Sequence, residues 1–465
     1  MDDGRAQYVM SLLQRNNTLS AAIVDRNGQV TGAAERVFDD GEVAAGELDA
    51  DALLSGAITL IETALRRADI SAWELSAIGV AAGDDMLAIW DSVSGTPLAP
   101  IRPLPDADLT DEDLLLWLEA RFQEMGGRRD FLSKRGAWRI GGVDSWLIWN
   151  LTQGAAHVLA SGHRLAAYAQ TLSLSSAIAP ALPQIVDEQG AIGTISATYL
   201  HGATVPITAV TTVAGSILFG AALSGPSEAF VSYQRQGFAV FLTADERDIR
   251  VDALGFLTNH PVPLRNFTLY PRMLVGRFGA AQLVLDWLEA RGGLHAADLN
   301  GRRELDKQIT VPLFTDRSVL VGSMPQALGR SAIVGIESST SPDSIYAAAL
   351  RAMAYHVAEL VETVQRSTGQ RIVRLHTDIC GFALPSLFSF QAAITERPVA
   401  VRHGDSAALG TALLAGLAAG IWTSGQVLDW LDGAGTTEVY EVHDLDPHLN
   451  DERRAWRQLS CGMSE

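Results

Sequence analysis

The chain has 465 residues, enough for two or three domains of ordinary size. Its 48% hydrophobic and 19% charged residues can fill large cores, which excludes a disordered chain. A formal charge of -19 argues against nucleic acid or an anionic membrane as partner, since both require basic patches.

The two cysteines, Cys380 and Cys461, cannot build a disulfide framework or a Cys-based zinc site. The opening MDDGRAQYVM lacks an apolar signal core, so the expected location is cytoplasmic. The uncharged run from Ser406 to Leu428 is rich in Ala and Gly. It is expected to be a buried helix rather than a membrane span, its small residues allowing close packing.

In chain order, Tyr8 to Leu13, Ala21 to Asp25 and Gln29 to Ala33 read as strands, the last two joined by an Asn27-Gly28 hairpin turn. Asp51 to Ala68 has helical periodicity through Leu53, Leu54, Ala57, Ile58, Ile61 and Leu65. Ser76 to Ala82 is the next strand. Leu87 to Asp91 and Pro97 to Ile101 flank a turn, and Asp111 to Met125 and Val143 to Leu151 are helical. Gln184 to Gly193 reads as a loop leading into Thr194 to Leu200. Ile207 to Val210 is an apolar strand, followed by a Thr-Thr turn and a helix beginning near Val213 with Thr212 as its N-cap.

The order then starts again. Ala229 to Ser232 and Phe238 to Leu242 read as strands, Gly276 to Arg291 and Ser344 to Thr368 as helices. Ile372 to Asp378 is a strand, Pro385 to Thr395 a helix, Val399 to Arg402 a strand, and Asp405 to Gly420 a small-residue helix. Two α/β halves of similar size, 1–226 and 227–465, suggest a pair of related domains around a cleft.

Several stretches, in this order, resemble the FGGY family of carbohydrate kinases, to which glycerol kinase and xylulokinase belong. They are Gly142 to Thr152 (GVDSWLIWNLT), Leu218-Phe219-Gly220, Ala347 to Tyr355, Asp378 with Phe390-Gln391-Ala392, and Ala407 to Gly420. The resemblance implies an α/β fold of two actin-like (ribonuclease-H-like) domains flanking an interdomain cleft. It implies an N-terminal sugar side and a C-terminal nucleotide side, where sugar and ATP meet.

Such a kinase needs phosphate-binding turns with accessible backbone N–H groups, a carboxylate to take the hydroxyl proton, and a carboxylate near Mg2+. At the matching positions this chain departs from the family. The first phosphate turn, D-Q-G-T-T-S-like, aligns with Leu13-Gln14-Arg15-Asn16-Asn17-Thr18. The second, G-T-G-like, follows Tyr233 as Gln234-Arg235-Gln236. Side chains at both places crowd a close backbone approach to phosphate, although Arg15 and Arg235 could attract an anion.

The substrate motif aligns with Ala82-Gly83-Asp84-Asp85-Met86, and the segment after it keeps only Asp106. The D-G-G-A-like run appears as Asp378-Ile379-Cys380-Gly381, and Arg351 stands where the family has an acid. The catalytic base falls on Val213, and Ile207 to Gly220 contains no Asp or Glu.

The resemblance with these losses implies a pseudokinase that binds a sugar or polyol ligand or a partner. The partner would be a second copy or an active kinase paralogue, with no nucleic acid, membrane or cofactor expected. The cleft candidates are Asp84, Asp85, Asp106, Thr211 and Thr212. Two alternatives remain open: an active ATP- and Mg2+-dependent kinase using Asp84 or Asp85 as base, and other chemistry in the same cleft. His403-Gly404-Asp405-Ser406 superficially resembles a hydrolase motif, but helix capping accounts for it. His356 and His376 have no second His or Cys at metal spacing, so neither is expected to be a ligand.

Overall fold

The computed structural model describes residues 8–15, 17–38, 43–44, 47–104, 111–124, 138–175, 178–186, 189–221, 223, 225–233, 237–243, 249–251, 255–261, 272–278, 313–315, 332–378, 385–433, 438–444 and 447–462. Contacts gather into two units. One holds Met1–Ala222, Pro261–Asn266 and Ser406–Ala434; the other holds Leu223–His260, Phe267–Asp405 and Gly435–Glu465. A single cut at 226 misses Ser406–Ala434, whose helix Ser406–Ala418 packs on the sheet of the N-terminal unit.

The first unit is built on a six-stranded sheet. From one edge the strands run Gln189–Ile195, Val205–Thr212, Leu75–Ala82, β1 (Tyr8–Arg15), β2 (Thr18–Val24) and β3 (Val30–Val37). β1, Leu75–Ala82 and Val205–Thr212 are parallel neighbours, whereas β1, β2 and β3 form an antiparallel meander. Successive side chains of a strand point to opposite faces. Met10, Ile78 and Val210 therefore share one core with Leu53, Ala57, Leu60 and Ile61 of helix α1 (Ala50–Ala68). Val9, Ala77 and Ala209 face the other way, onto Ala412, Leu413 and Ala415. Burial on both faces is why YVMSLL is apolar at every position but Ser11 rather than alternating. Helix α1 is capped by Asp49, whose carboxylate accepts the Ala52 N–H at 2.9 Å.

The second unit repeats this strand order. Arg272–Phe278, Gly237–Thr243, Glu228–Ser232, Arg374–Asp378 and Val399–Arg402 lie side by side in its eight-stranded sheet, with the same parallel and antiparallel pairings. The two actin-like sheets expected from the sequence are thus present. The long helix Pro342–Thr368 and the helix Pro385–Thr395 supply its core through Leu350, Met353, Val357, Phe388 and Phe390. Arg351, with no exposed surface, donates to Glu452 of the C-terminal helix Pro447–Gly462 at 2.6 Å. Tyr355 Oη donates to the same carboxylate at 2.9 Å. A buried cation needs such a partner, so Arg351 is neutralised by a carboxylate from a helix distant in sequence.

Three local expectations are corrected. Helical periodicity over Gly276 to Arg291 begins inside the strand Arg272–Phe278, and the rest of that stretch lies outside the described residues. Gln184 to Gly193 is not loop: Gln184–Val186 and Gln189–Ile195 are strands. Gln14 and Arg15 continue β1 and pair with Leu19 and Thr18, so the turn is shorter than the aligned phosphate turn. Among the described residues no helix is long and apolar enough to cross a membrane.

Candidate functional site

In parallel α/β sheets ligands gather beyond the carboxyl ends of the strands. Three such ends lie in register in the first unit. Leu13 of β1 pairs with Ala81, Thr211 with Ala81, and Thr212 with Ala82. Beyond them come Gln14-Arg15, Gly83-Asp84-Asp85 and Val213. Pairing thus gathers Leu13, Gln14, Arg15, Asp84, Asp85, Thr211 and Thr212 at one edge of one sheet. Thr18 faces Arg15 across the hairpin.

Thr212 ends its strand, and its hydroxyl accepts the Gly215 N–H at 3.1 Å, capping the helix Val213–Gly220. Val213 is the first helical residue and is 6% exposed. The position is polarised by the helix N-terminus, yet its side chain can neither accept a proton nor bind a metal. Leu13 and Gln14 are each 1% exposed and Arg15 is 5% exposed.

The Gly83–Asp85 turn is fixed through its backbone. Gly83 N–H donates to Gln14 Oε1 at 3.4 Å, Arg164 N–H donates to the Asp84 carbonyl at 3.0 Å, and Leu104 N–H donates to the Asp85 carbonyl at 2.5 Å. Asp84 is buried and Asp85 half-buried. The turn is a held element at the strand ends rather than a solvated loop.

Behind it, the helices Val213–Gly220 and Ser406–Ala418 cross at two glycines. A Cβ on Gly220 would lie 1.9 Å from the Ser406 carbonyl oxygen, and one on Gly410 would lie 1.9 Å from that of Ser216. Only glycine permits this approach. Ser216 Oγ and Thr411 Oγ1 are hydrogen-bonded across the crossing at 2.8 Å. The Ala- and Gly-rich composition of the second helix therefore serves close packing, as expected.

In the second unit Asp378 ends its strand opposite Arg402 in register and is 5% exposed. Burial lowers the Arg402 guanidinium pKa, and the Asp378 charge opposes that fall. Tyr233 Oη donates to Gln391 Oε1 at 2.6 Å inside the core. His356 packs edge-on against Trp456, with ring centroids 4.7 Å apart, and His376 Nε2 lies 3.4 Å from Glu228 Oε1. Among the described residues no group of three His, Cys, Asp or Glu could hold a metal ion. Ser406 of the hydrolase-like run is 1% exposed at the start of its helix. Asn16, Asp106, Gln234, Arg235, Gln236, Cys380 and Gly381 lie outside the described residues.

One feature close to the site was missed from sequence. Asp144 and His163, 1% and 2% exposed, face each other beside Gly142. The Gly-Val-Asp start of the Val143–Leu151 helix was visible, but His163 lies nearly twenty residues away and only folding joins them.

The model of the FGGY family of carbohydrate kinases, C-terminal domain, matches residues 266–419. The glycerol kinase of Xanthomonas campestris pv. campestris (strain ATCC 33913) is 27% identical over 505 residues, covering 99% of this chain and 97% of that protein. The glycerol kinase of Aromatoleum aromaticum is 29% identical over 460 residues, covering 90% and 91%. Among solved structures, Plasmodium falciparum glycerol kinase with ADP superposes with a TM-score of 0.77 at 17% identity, covering 99% of this chain and 98% of that one. Rhodospirillum rubrum xylulose kinase superposes with a TM-score of 0.69 at 16% identity, covering 98% and 99%. This similarity to kinases along the whole chain overturns the expectation that no cofactor is involved.

Proposed function

Since the chain belongs to the FGGY family of carbohydrate kinases, we propose that it binds a sugar or polyol together with ATP and Mg2+, and that it is a pseudokinase without efficient phosphoryl transfer. The observation that carries this is Val213, buried at the head of its helix where the resemblance puts the proton-accepting carboxylate. A positioned base is worth ~10²–10⁴ in rate, and no side chain of that helix can replace it.

The strand ends fit the cofactor in a changed form. Mg2+ in kinase sites is held by one or two carboxylates, with phosphate oxygens and water completing its shell. Asp84 and Asp85 are donors of that kind, and they stand beside Leu13, which replaces the family's acid. ATP supplies the phosphoryl group when bound. Arg15 would meet its phosphates with a guanidinium in place of a glycine turn. A protein that holds these ligands without turnover would act through a partner, a second copy or an active paralogue.

The test is thermal unfolding with Mg2+·ATP, with glycerol and with both, beside a coupled ADP-release assay. Ligand at 100-fold its Kd should stabilise the native chain by about 2.7 kcal/mol, while turnover stays far below the ~1–100 s⁻¹ typical of kinases. Turnover in that range, or no stabilisation by any of the three, refutes the proposal.

A second reading has its own support. Asp84 and Asp85 follow Ala82, which pairs with Thr212, so their strand end adjoins the Val213 position. An active kinase would use one of them as base. Turnover abolished in Asp84→Asn or Asp85→Asn, with Mg2+·ATP binding retained, would establish it.

A further inference from the structure

We propose that Asp144 and His163 form a buried strut that positions the Gly83–Asp85 turn, and with it the two carboxylates of the candidate site. The functional weight of the strut rests on the Mg2+·ATP reading above; its mechanical role does not.

Asp144 sits in the first turn of the Val143–Leu151 helix, where its Oδ2 accepts the Ala160 N–H at 3.2 Å. Its Oδ1 makes no hydrogen bond among the described residues, and neither does Nε2 of His163. These two atoms share one small space: a Cβ on Gly142 would lie 2.3 Å from the first and 2.6 Å from the second. Any side chain at Gly142 would be driven between them. Buried polar atoms left over on both sides of one gap are costly unless they serve each other, directly or through a water.

The tautomer follows from the other ring nitrogen. His163 Nδ1 accepts the Leu165 N–H at 3.1 Å, so the neutral ring carries its proton on Nε2, toward the Asp144 carboxylate. The backbone closes the loop, because His163 N–H donates to the Ala160 carbonyl at 3.0 Å. Residues 160–163 would thereby be tied to the helix at both ends by Asp144, through the Ala160 N–H and the His163 ring. The next residue, Arg164, gives its N–H to the Asp84 carbonyl at 3.0 Å. A shift of the His163 loop is therefore transmitted to the turn within one hydrogen bond.

Two substitutions separate the strut from ordinary helix capping. His163→Ser keeps an acceptor for the Leu165 N–H but has nothing to reach Asp144. His163→Gln puts an amide N–H near the Nε2 position but loses the cap. The readout is amide hydrogen exchange of the intact, ligand-free chain, in peptides spanning 83–87 and 161–166, so it does not depend on ATP binding. We expect exchange in both peptides to rise at least tenfold in His163→Ser, and exchange in 83–87 to stay within threefold of the parent in His163→Gln, whose lost cap frees the Leu165 amide in the other peptide. Asp144→Asn, which turns an N–H toward the His163 N–H, should behave like His163→Ser if that variant fails to fold. Parent-like exchange in His163→Ser or in Asp144→Asn, or His163→Gln as loose as His163→Ser in 83–87, overturns the proposal. If the exchange pattern holds but Mg2+·ATP does not stabilise the parent, the strut stands and the functional reading falls.

Discussion

Gly410→Ala tests how far the two glycine-crossed helices depend on close contact. The new Cβ would lie 1.9 Å from the Ser216 carbonyl oxygen and 2.8 Å from the Gly220 nitrogen, both backbone atoms that cannot turn aside. The helices must separate by about 1 Å or more, and overpacking of this kind costs about 1–3 kcal/mol. Separation also strains the buried 2.8 Å bond between Ser216 and Thr411, worth roughly 1 kcal/mol. Against this, Ala is the better helix former by about 1 kcal/mol. The steric effect wins, leaving a net loss near 2 kcal/mol. For a unit of this size that lowers the melting temperature by about 4–8 °C. Gly425→Ala is the control: its Cβ meets nothing within 4 Å, so only propensity acts and stability should hold or rise. Calorimetry of both variants decides. A Gly410→Ala melting temperature equal to or above the parent would refute the close crossing.

Two further outcomes follow from the same geometry. Val213→Asp places a carboxylate at a helix N-terminus, which favours negative charge. ADP release with glycerol should rise ~10²-fold or more if a missing base is what limits the chain; an unchanged rate would place the defect elsewhere. His157, packed against Trp90 and Trp149, has its pKa pushed down from 6.5 to about 4, chiefly by burial, with the Arg139 charge adding to the fall and the Ile140 carbonyl opposing it. The unfolded chain then binds the proton first, so stability is full above about pH 6.5 and is lost progressively down to about pH 4, by at most ~3 kcal/mol. Urea unfolding followed by tryptophan fluorescence should show this loss, and His157→Gln should flatten it. An equal slope in the variant would assign the loss to other groups.

What the sequence determined alone was whatever depends on a few neighbouring residues. The helix start at Val213 was legible because a Thr cap and an apolar run are short-range signals, and Thr212 does cap it. The doubled strand order was legible because apolar runs and turn residues recur in both halves, and both sheets have it. The absence of Asp and Glu from Ile207 to Gly220 was legible because it is a matter of residue identity alone.

Tertiary structure decided what depends on pairing at a distance. Gly276 to Phe278, read from the sequence as the start of a helix, end the strand Arg272–Phe278 because Gly237–Thr243 offers them a ladder. Gln14 and Arg15 belong to β1 because Leu19 and Thr18 pair with them. The helix Ser406–Ala418, late in the chain, joins the first unit because two glycines let it approach Val213–Gly220, a contact that no local pattern encodes. Asp84 and Asp85 read as a loop in sequence; three backbone hydrogen bonds from Gly83, Leu104 and Arg164 make them a held turn. The chemistry at the strand ends could be listed from the sequence, but its arrangement required strands and loops that meet only in the folded chain.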